Sequence, residues 1–206
     1  MVKQLVKEGR LDLSVNGGWV MHDEANTHYT AMVDQTAYGH KFLKDEFNVT
    51  PRIGWQIDDF GHSATQGALL SAGIGLDALY FARIDYQDYE TRREGQDLEF
   101  VWRPSKSRGK AMQVFTGEIM GHYTAPDKLN YGYDTGIRDT MGMPNVCDAV
   151  QHFVTICDGR ARSTKGNNIF LPMGDDFSYQ NAGMWFTNMD KLIVRGTSDC
   201  LQLDTN

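Results

Sequence analysis

The sequence predicts an α/β fold, built on a parallel sheet or a β/α barrel. Two observations carry this. Apolar strand-like runs and helical patterns alternate along the chain at α/β spacing. Two of the strand-like runs end in paired acids, Asp58-Asp59 and Asp175-Asp176. In parallel α/β folds ligands gather beyond the carboxyl ends of the strands, so both acid pairs stand where chemistry belongs.

The elements follow in order. Residues 2–8 look like the tail of a helix stopped at Gly9, as though the chain begins mid-domain. LDLSV (11–15) alternates like a strand. GGWVMHDEANTH is a loop that gathers His22, Asp23, Glu24 and Asn26. From about Asn26 to Phe47 a helical pattern runs through Tyr29, Met32, Val33, Thr36, Ala37, His40, Phe42 and Leu43. Pro51 breaks the chain, and RIGWQI reads as a buried strand. SATQGALLSAG (63–73) is a helix with Ser63 at its N-cap. DALYFARI, EFVWRP and AMQVFTG read as three further strands. Residues 121–144, rich in Gly, Tyr, Asp and Thr, form a long loop. Residues 145–158 are a helix, NNIFLPMG a strand into Asp175-Asp176, and 180–193 a last helix. Met184, Trp185, Met189 and Leu192 mark the apolar side of that helix. There is no internal repeat and no low-complexity tract.

Composition narrows the partners. The 206 residues suit one domain, and 41% hydrophobic residues suffice for a core. A net charge of -7 disfavours nucleic acid and anionic membrane surfaces, both of which select basic patches. Three cysteines without C-x-x-C spacing exclude a disulfide scaffold and a thiolate zinc site. A bridge between Cys147 and Cys157 remains open. The N-terminus lacks the apolar run of a secretory signal, and glycines, Ser63 and Gln66 dilute the stretch 61–76, so it is no membrane span.

Asp58 at a strand end can be a hard-oxygen metal ligand, a carboxylate nucleophile, or an N-cap for the helix near Ser63. Asp175-Asp176 carries the same alternatives. Two carboxyl groups facing each other across a cleft are the equipment of a glycoside hydrolase. An acidic chain rich in Trp and Tyr suits neutral sugars. Among the histidines, His22 with Asp23 and Glu24 reads as a capping cluster more readily than as a metal site. His28 and His40 lie on a helix, His62 supports its loop, and His122 and His152 have no local partner. No H-x-H or H-x-x-x-H spacing occurs, so the chain shows no complete metal site.

GGWVMHDEANTHY, PRIGWQIDDFGHSATQ, LYFARIDYQD, EFVWRPS, VFTGEIMGHYTAP and FLPMGDDFSYQNAGMWFTNMDKLI occur in the order of a known family. From about Leu11 to Ile193 the chain resembles the lysosomal-type α-mannosidases of glycoside hydrolase family 38. The tail from about residue 194 does not. The resemblance implies a parallel, seven-stranded β/α barrel-like catalytic domain, incomplete in this chain, and a retaining enzyme that removes α-linked mannose from glycans. It makes Asp58 the nucleophile and a zinc ligand, and Asp176 the general acid, its proton held by the neighbouring Asp175. It places Phe60, Arg83, Tyr123 and Asp175 against the sugar. One zinc ion would fix the ring, with most of its ligands outside this chain. Lysosome, vacuole or the extracellular space would be the location, to which the sequon Asn48-Val-Thr50, followed by Pro51, conforms.

Three departures accompany the resemblance. Asp59 stands where the family has proline, which is expected to loosen the turn and add charge beside Asp58. Of the family's zinc ligands only Asp58 is present. The later β-rich domains are missing, so the chain reads as an internal fragment whose partner is the rest of the same polypeptide. An isolated chain of this kind is expected to be inactive, or to be a remnant with a sugar-binding or interaction role. Open sheet edges and bare apolar surface predict oligomerisation of the purified chain. A monomeric peak on size-exclusion with a sharp, reversible melt is the result that counts against this.

Overall fold

Pro51 ends a helical run, and the four residues of strand β1 that follow it alternate half-buried and buried. The computed structural model describes residues 1–132, 136–137 and 145–196. The chain divides into two units, Met1–Met120 and Gly121–Asn206. In the first unit the order is α1 (Val2–Lys7), α2 (Tyr29–Phe47), β1 (Ile53–Gln56), α3 (Ala64–Gly67), β2 (Ala78–Phe81), α4 (Tyr86–Glu94), β3 (Glu99–Trp102) and β4 (Val114–Glu118). A π-helical turn, Ala68–Ala72, continues α3. In the second unit, α5 (Val146–Ala161) and α6 (Ala182–Gly196) are the helices among the described residues.

The sheet is four-stranded and mixed, in the order β1-β2-β4-β3. Among the described residues it has four strands, part of what the expected seven-stranded type of barrel-like domain, incomplete in this chain, would need. β1, β2 and β4 are parallel, with Gln56 level with Phe81 and Phe81 level with Glu118. Their carboxyl ends therefore lie side by side. β3 runs antiparallel to β4. The connection between them, residues 103–113, holds only a short 3₁₀ turn, Gly109–Met112, too little for the crossover a parallel return needs. Leu79, Phe81 and Val114 form the core of the sheet, with Phe100 and Trp102 against it.

Several expectations need correction. LDLSV forms no strand, and only Val15 bridges to Ile53. Asp12 accepts from the backbone N–H of Ser14 at 2.7 Å and turns the segment. NNIFLPMG is likewise reduced to a bridge between Thr124 and Gly174, and Pro172 has no N–H to give a ladder. α4 has no apolar stripe, so periodicity missed it. Its cap Asp85 accepts from Gln87 and Asp88, and Asp88–Arg92 and Glu90–Arg93 pairs line its surface. Cys157 is a free thiol, so it does not pair with Cys147. Both lie on α5 ten residues apart, about 15 Å along a helix, beyond a disulfide's reach.

α2 buries Met32, Thr36 and Gly39, while Tyr29, Val33 and Phe42 of the expected apolar pattern stay exposed. The helix packs on the 17–22 loop. Trp19 rests against Tyr38 at 5.5 Å, and both line a groove of about 500 Å³ with Phe42. In the second unit α5 and α6 close over Leu129, Tyr131, Ile137, Val150, Trp185 and Leu192. Trp185 stacks on Tyr179 at 4.6 Å and meets Tyr131 edge-on at 5.9 Å. Of the loop 121–144, residues 133–135 and 138–144 lie outside the described residues, as does the tail from 197.

Gly39 is where α2 and the loop touch most closely. A Cβ there would stand 2.3 Å from the Gly17 carbonyl oxygen and 2.6 Å from the Gly18 carbonyl carbon. Backbone cannot yield as a side-chain tip can. Gly39→Ala is expected to destabilise the first unit by about 2 kcal/mol or more despite the better helix propensity of alanine. Urea denaturation followed by far-UV circular dichroism reads this, and an unchanged midpoint would refute the packing described.

Candidate functional site

β1 carries the chain into Asp58 and β2 carries it into Arg83, one strand over. Arg83 sits at φ 68°, and this turn aims its side chain back across the strand ends. Its Nε donates to Asp58 Oδ1 at 2.9 Å, and a terminal nitrogen donates to the same oxygen at 2.5 Å. The guanidinium also lies over the Phe60 ring, 4.7 Å from its centroid. Phe60 is 89% exposed, a bare aromatic face beside a carboxylate. Asp58 and Arg83 are both about one-third open to solvent, and such ion pairs stabilise by only about 0.2–1 kcal/mol. The pair therefore orients Asp58 more than it holds the fold.

Behind this rim lies a buried polar frame. Gln56, the last residue of β1, clamps the 22–24 loop. Its Oε1 accepts from the His22 backbone N–H at 3.2 Å, and its Nε2 donates to the His22 carbonyl and to Asp59 Oδ2, both at 3.1 Å. Asp59 accepts a second bond at Oδ1 from the Glu24 backbone N–H at 2.8 Å. Asp59 thus does not loosen the turn. Its carboxyl faces inward, 6% exposed, and ties the loop to the strand. Burial pushes the Asp59 carboxyl above its ordinary range, against the lowering effect of the Glu24 N–H.

Glu24 and His62 complete the frame. His62 Nδ1 meets Glu24 Oε2 at 2.6 Å and Nε2 meets the Ala82 carbonyl at 2.6 Å. Both partners accept, which favours the form of the ring with a proton on each nitrogen. Burial works against that charge, but the Glu24 and Ala82 bonds prevail and His62 is raised above its ordinary value. Glu24 Oε1 accepts from the Ser63 N–H at 2.8 Å, and Ser63 in turn caps α3 by accepting from Thr65. Ser63, not Asp58, is the cap, which removes the capping role for Asp58. His22 has the opposite fate. The Thr36 hydroxyl donates to Met32 O, so Thr36 accepts from His22 Nε2, leaving Nδ1 to accept from Gln66. This ring is neutral, and burial lowers its pKa. The HDE segment is thus neither a cap nor a ligand set but the anchor of the site loop.

The second acid pair is built within the second unit. Ala125 N–H donates to the Gly174 carbonyl at 2.9 Å and fixes the start of the turn. Asp175 Oδ1 accepts from the Asp176 N–H at 2.8 Å, and Asn130 reaches Asp175 Oδ2 at 3.4 Å. The Tyr123 hydroxyl donates to Asp176 Oδ1 at 3.3 Å. Phe177 follows at φ 55°, 88% exposed. The expected site residues therefore group as Asp58, Phe60 and Arg83 in one unit, and Tyr123, Asp175 and Asp176 in the other. Sequence reasoning missed Gln56, Glu24 and His62 as a frame. Their contacts join residues more than thirty apart, and no local pattern marks them.

Among the described residues no group of three or more His, Cys, Asp or Glu side chains is placed to hold a metal ion. Asp58 is a single oxygen donor, whereas zinc takes three or four protein ligands. The described residues do not fit a zinc centre.

Comparison with known proteins gives a consistent outcome. Residues 1–204 match the model of the glycosyl hydrolases family 38 N-terminal domain. An alpha-mannosidase of Canavalia ensiformis is 48% identical over 95% of this chain and 20% of its own length. The lysosomal alpha-mannosidases of Dictyostelium discoideum and Homo sapiens are each 41% identical, over 97% and 94% of this chain. The chain spans about one fifth of the length of these relatives.

Gln56→Leu is nearly isosteric but strips the buried His22 backbone N–H and carbonyl and Asp59 Oδ2 of their Gln56 partner. It should cost about 3 kcal/mol or more in urea denaturation. Arg83→Met, at the exposed rim, should cost less than about 1 kcal/mol. Equal losses would show that the rim pair, not the frame, holds the loop.

Proposed function

The chain belongs to glycosyl hydrolase family 38, and on that premise we propose that it carries the two reacting carboxyl groups of a retaining α-mannosidase acting on mannose-containing glycans. The observation that carries this reading is Asp58 at the end of β1, gripped by Arg83 beside the bare Phe60 ring. A carboxylate oriented by an arginine and flanked by an aromatic platform suits attack on a stacked sugar.

In the proposed reaction Asp58 attacks the anomeric carbon. Asp176 gives its proton to the leaving glycosidic oxygen, and the C–O bond to the aglycone breaks. Water then attacks the mannosyl ester, Asp176 takes a proton from it, and Asp58 is released. The Tyr123 hydroxyl steadies Asp176, and Asp175 steadies the backbone beneath it. Retention calls for two carboxyl groups about 5–5.5 Å apart. Zinc, when bound by family members, supplies charge for the sugar hydroxyls. The described residues offer it one carboxylate, so no step here passes through a metal.

The activity is proposed for the longer polypeptide that contains this stretch, and the 206 residues alone are expected not to turn over. Lysosome, vacuole or the extracellular space is the proposed location. Asn48 and Thr50 of the sequon are exposed at the end of α2, and no described helix is long and apolar enough to cross a membrane.

The test is hydrolysis of an aryl α-mannoside by the longer polypeptide. Asp58→Asn should lower kcat by about a thousandfold or more. Asp176→Asn should lower kcat/KM strongly with a methylumbelliferyl leaving group but far less with dinitrophenolate, which needs no proton, while kcat stays low because water activation in the second step still lacks its base. Proton NMR should show the α-anomer of mannose as first product. Undiminished activity in Asp58→Asn would sink the assignment. Mannose binding without turnover in the longer polypeptide would favour the remnant reading.

A further inference from the structure

The proposed reaction leaves one buried titratable group unused, Glu118. It ends β4, level with Phe81 of β2, so the two side chains share a face of the sheet. On that face the His62 ring packs on Phe81 at 4.6 Å between centroids, and Phe81 meets Phe100 and Trp102 edge-on. Arg92 of α4 covers Phe100, its guanidinium carbon 4.3 Å from the ring centroid. Glu118 is 7% exposed, and its Oε2 is buried with no hydrogen-bond partner among the described residues. An ionised carboxylate in such a place is costly, while a neutral acid is far less so.

The charges around the two groups can be named. Glu118 faces His62 and Arg92, which favour its ionised form, and Asp88, which opposes it; burial outweighs them and raises it to about 8. His62 faces Glu24, the Ala82 carbonyl and Asp59, all favouring its proton.

We propose that Glu118 and His62 are a pair of proton-holding positioning residues behind the strand ends that carry Asp58 and Arg83, set to keep this end of the sheet in place under acidic conditions and to loosen it as the medium turns alkaline. His62 ties the Gly61–Ser63 loop to Ala82, the neighbour of Arg83, and its charge is what makes both ties. Glu118, neutral beside the aromatic floor of that ring, adds no second charge to a buried corner. Both folded values are raised. The Glu118 contribution is complete below its unfolded value of about 4.5 and is lost as pH climbs towards 8. The His62 contribution is present below about 6.5 and is lost as pH rises through its folded value. His22 runs the other way, since its value is lowered and its contribution is lost as pH falls. Its partners are Gln66 and Thr36, not this pair. The positioning role rests on the proposed reading of Asp58, but the titration behaviour does not.

The test uses the full chain and needs no enzymatic activity. Urea midpoints are measured at about pH 4, 7 and 9, a span that covers the Glu118 rise from 4.5 to about 8. The wild-type midpoint is expected to fall across this span. Glu118→Gln, a neutral isostere, should match wild type near pH 4 and fall less towards pH 9. Parallel falls in the two chains, or a wild-type midpoint that does not fall, would overturn the proposal. Should the variant fail to fold, carboxyl ¹³C NMR of Glu118 in the unaltered chain decides the matter. A titration midpoint above about 6.5 supports the pair, and one below it refutes it. In the same experiments Glu24→Gln should lower the His62 ring titration, and an unmoved ring would overturn its assigned role.

Discussion

The buried contact between Glu24 and His62 is the constraint on which the first unit's candidate site depends. A charged pair removed from water is stable only when each remaining donor and acceptor finds a partner. Here Glu24 uses one oxygen for His62 and the other for the Ser63 N–H, while His62 spends its second nitrogen on the Ala82 carbonyl. Three segments far apart in sequence thus meet at one point: the 22–24 loop, the turn after β1, and the end of β2. Break the contact and a charge is left buried without compensation, a larger loss than the net worth of the pair itself.

Asp59 and Gln56 extend the same logic. Proline would stiffen the turn after Asp58 by restricting φ. Asp59 reaches a similar end by hydrogen bonding, with its carboxyl turned inward to Gln56 and the Glu24 N–H. The charge it brings faces the frame and not the rim. Rim and frame therefore divide the work. Asp58, Phe60 and Arg83 are open to solvent, and the buried residues behind them carry the geometry. The same division recurs on a smaller scale in the second unit, where Asp175 fixes the backbone and leaves Asp176 to Tyr123.

Asp58-Asp59 was legible beyond the end of β1 because parallel α/β folds gather chemistry there, whereas Asp175-Asp176 follows only the Thr124–Gly174 bridge and not the strand the sequence suggested. Helices with an apolar stripe, such as α5 and α6, were legible for a related reason: burial on one face leaves a period in the sequence. α4 left none, because caps and surface ion pairs hold it. LDLSV shows the converse error. It alternates like a strand, yet Asp12 captures the Ser14 N–H and only one bridge to β1 remains.

By itself the sequence determined the family and the α/β class, since these rest on residue types in a fixed order, and it nominated Asp58 and Asp176 as the carboxylates proposed for catalysis. Tertiary structure decided the rest. Only there does β3 turn antiparallel, because its short link to β4 cannot make a crossover. Only there do His22 and His62 diverge, one surrounded so that its second proton is disfavoured and the other so that it is favoured. Protonation state depends on which acceptors and donors surround a ring, and those partners come from positions that no local pattern connects.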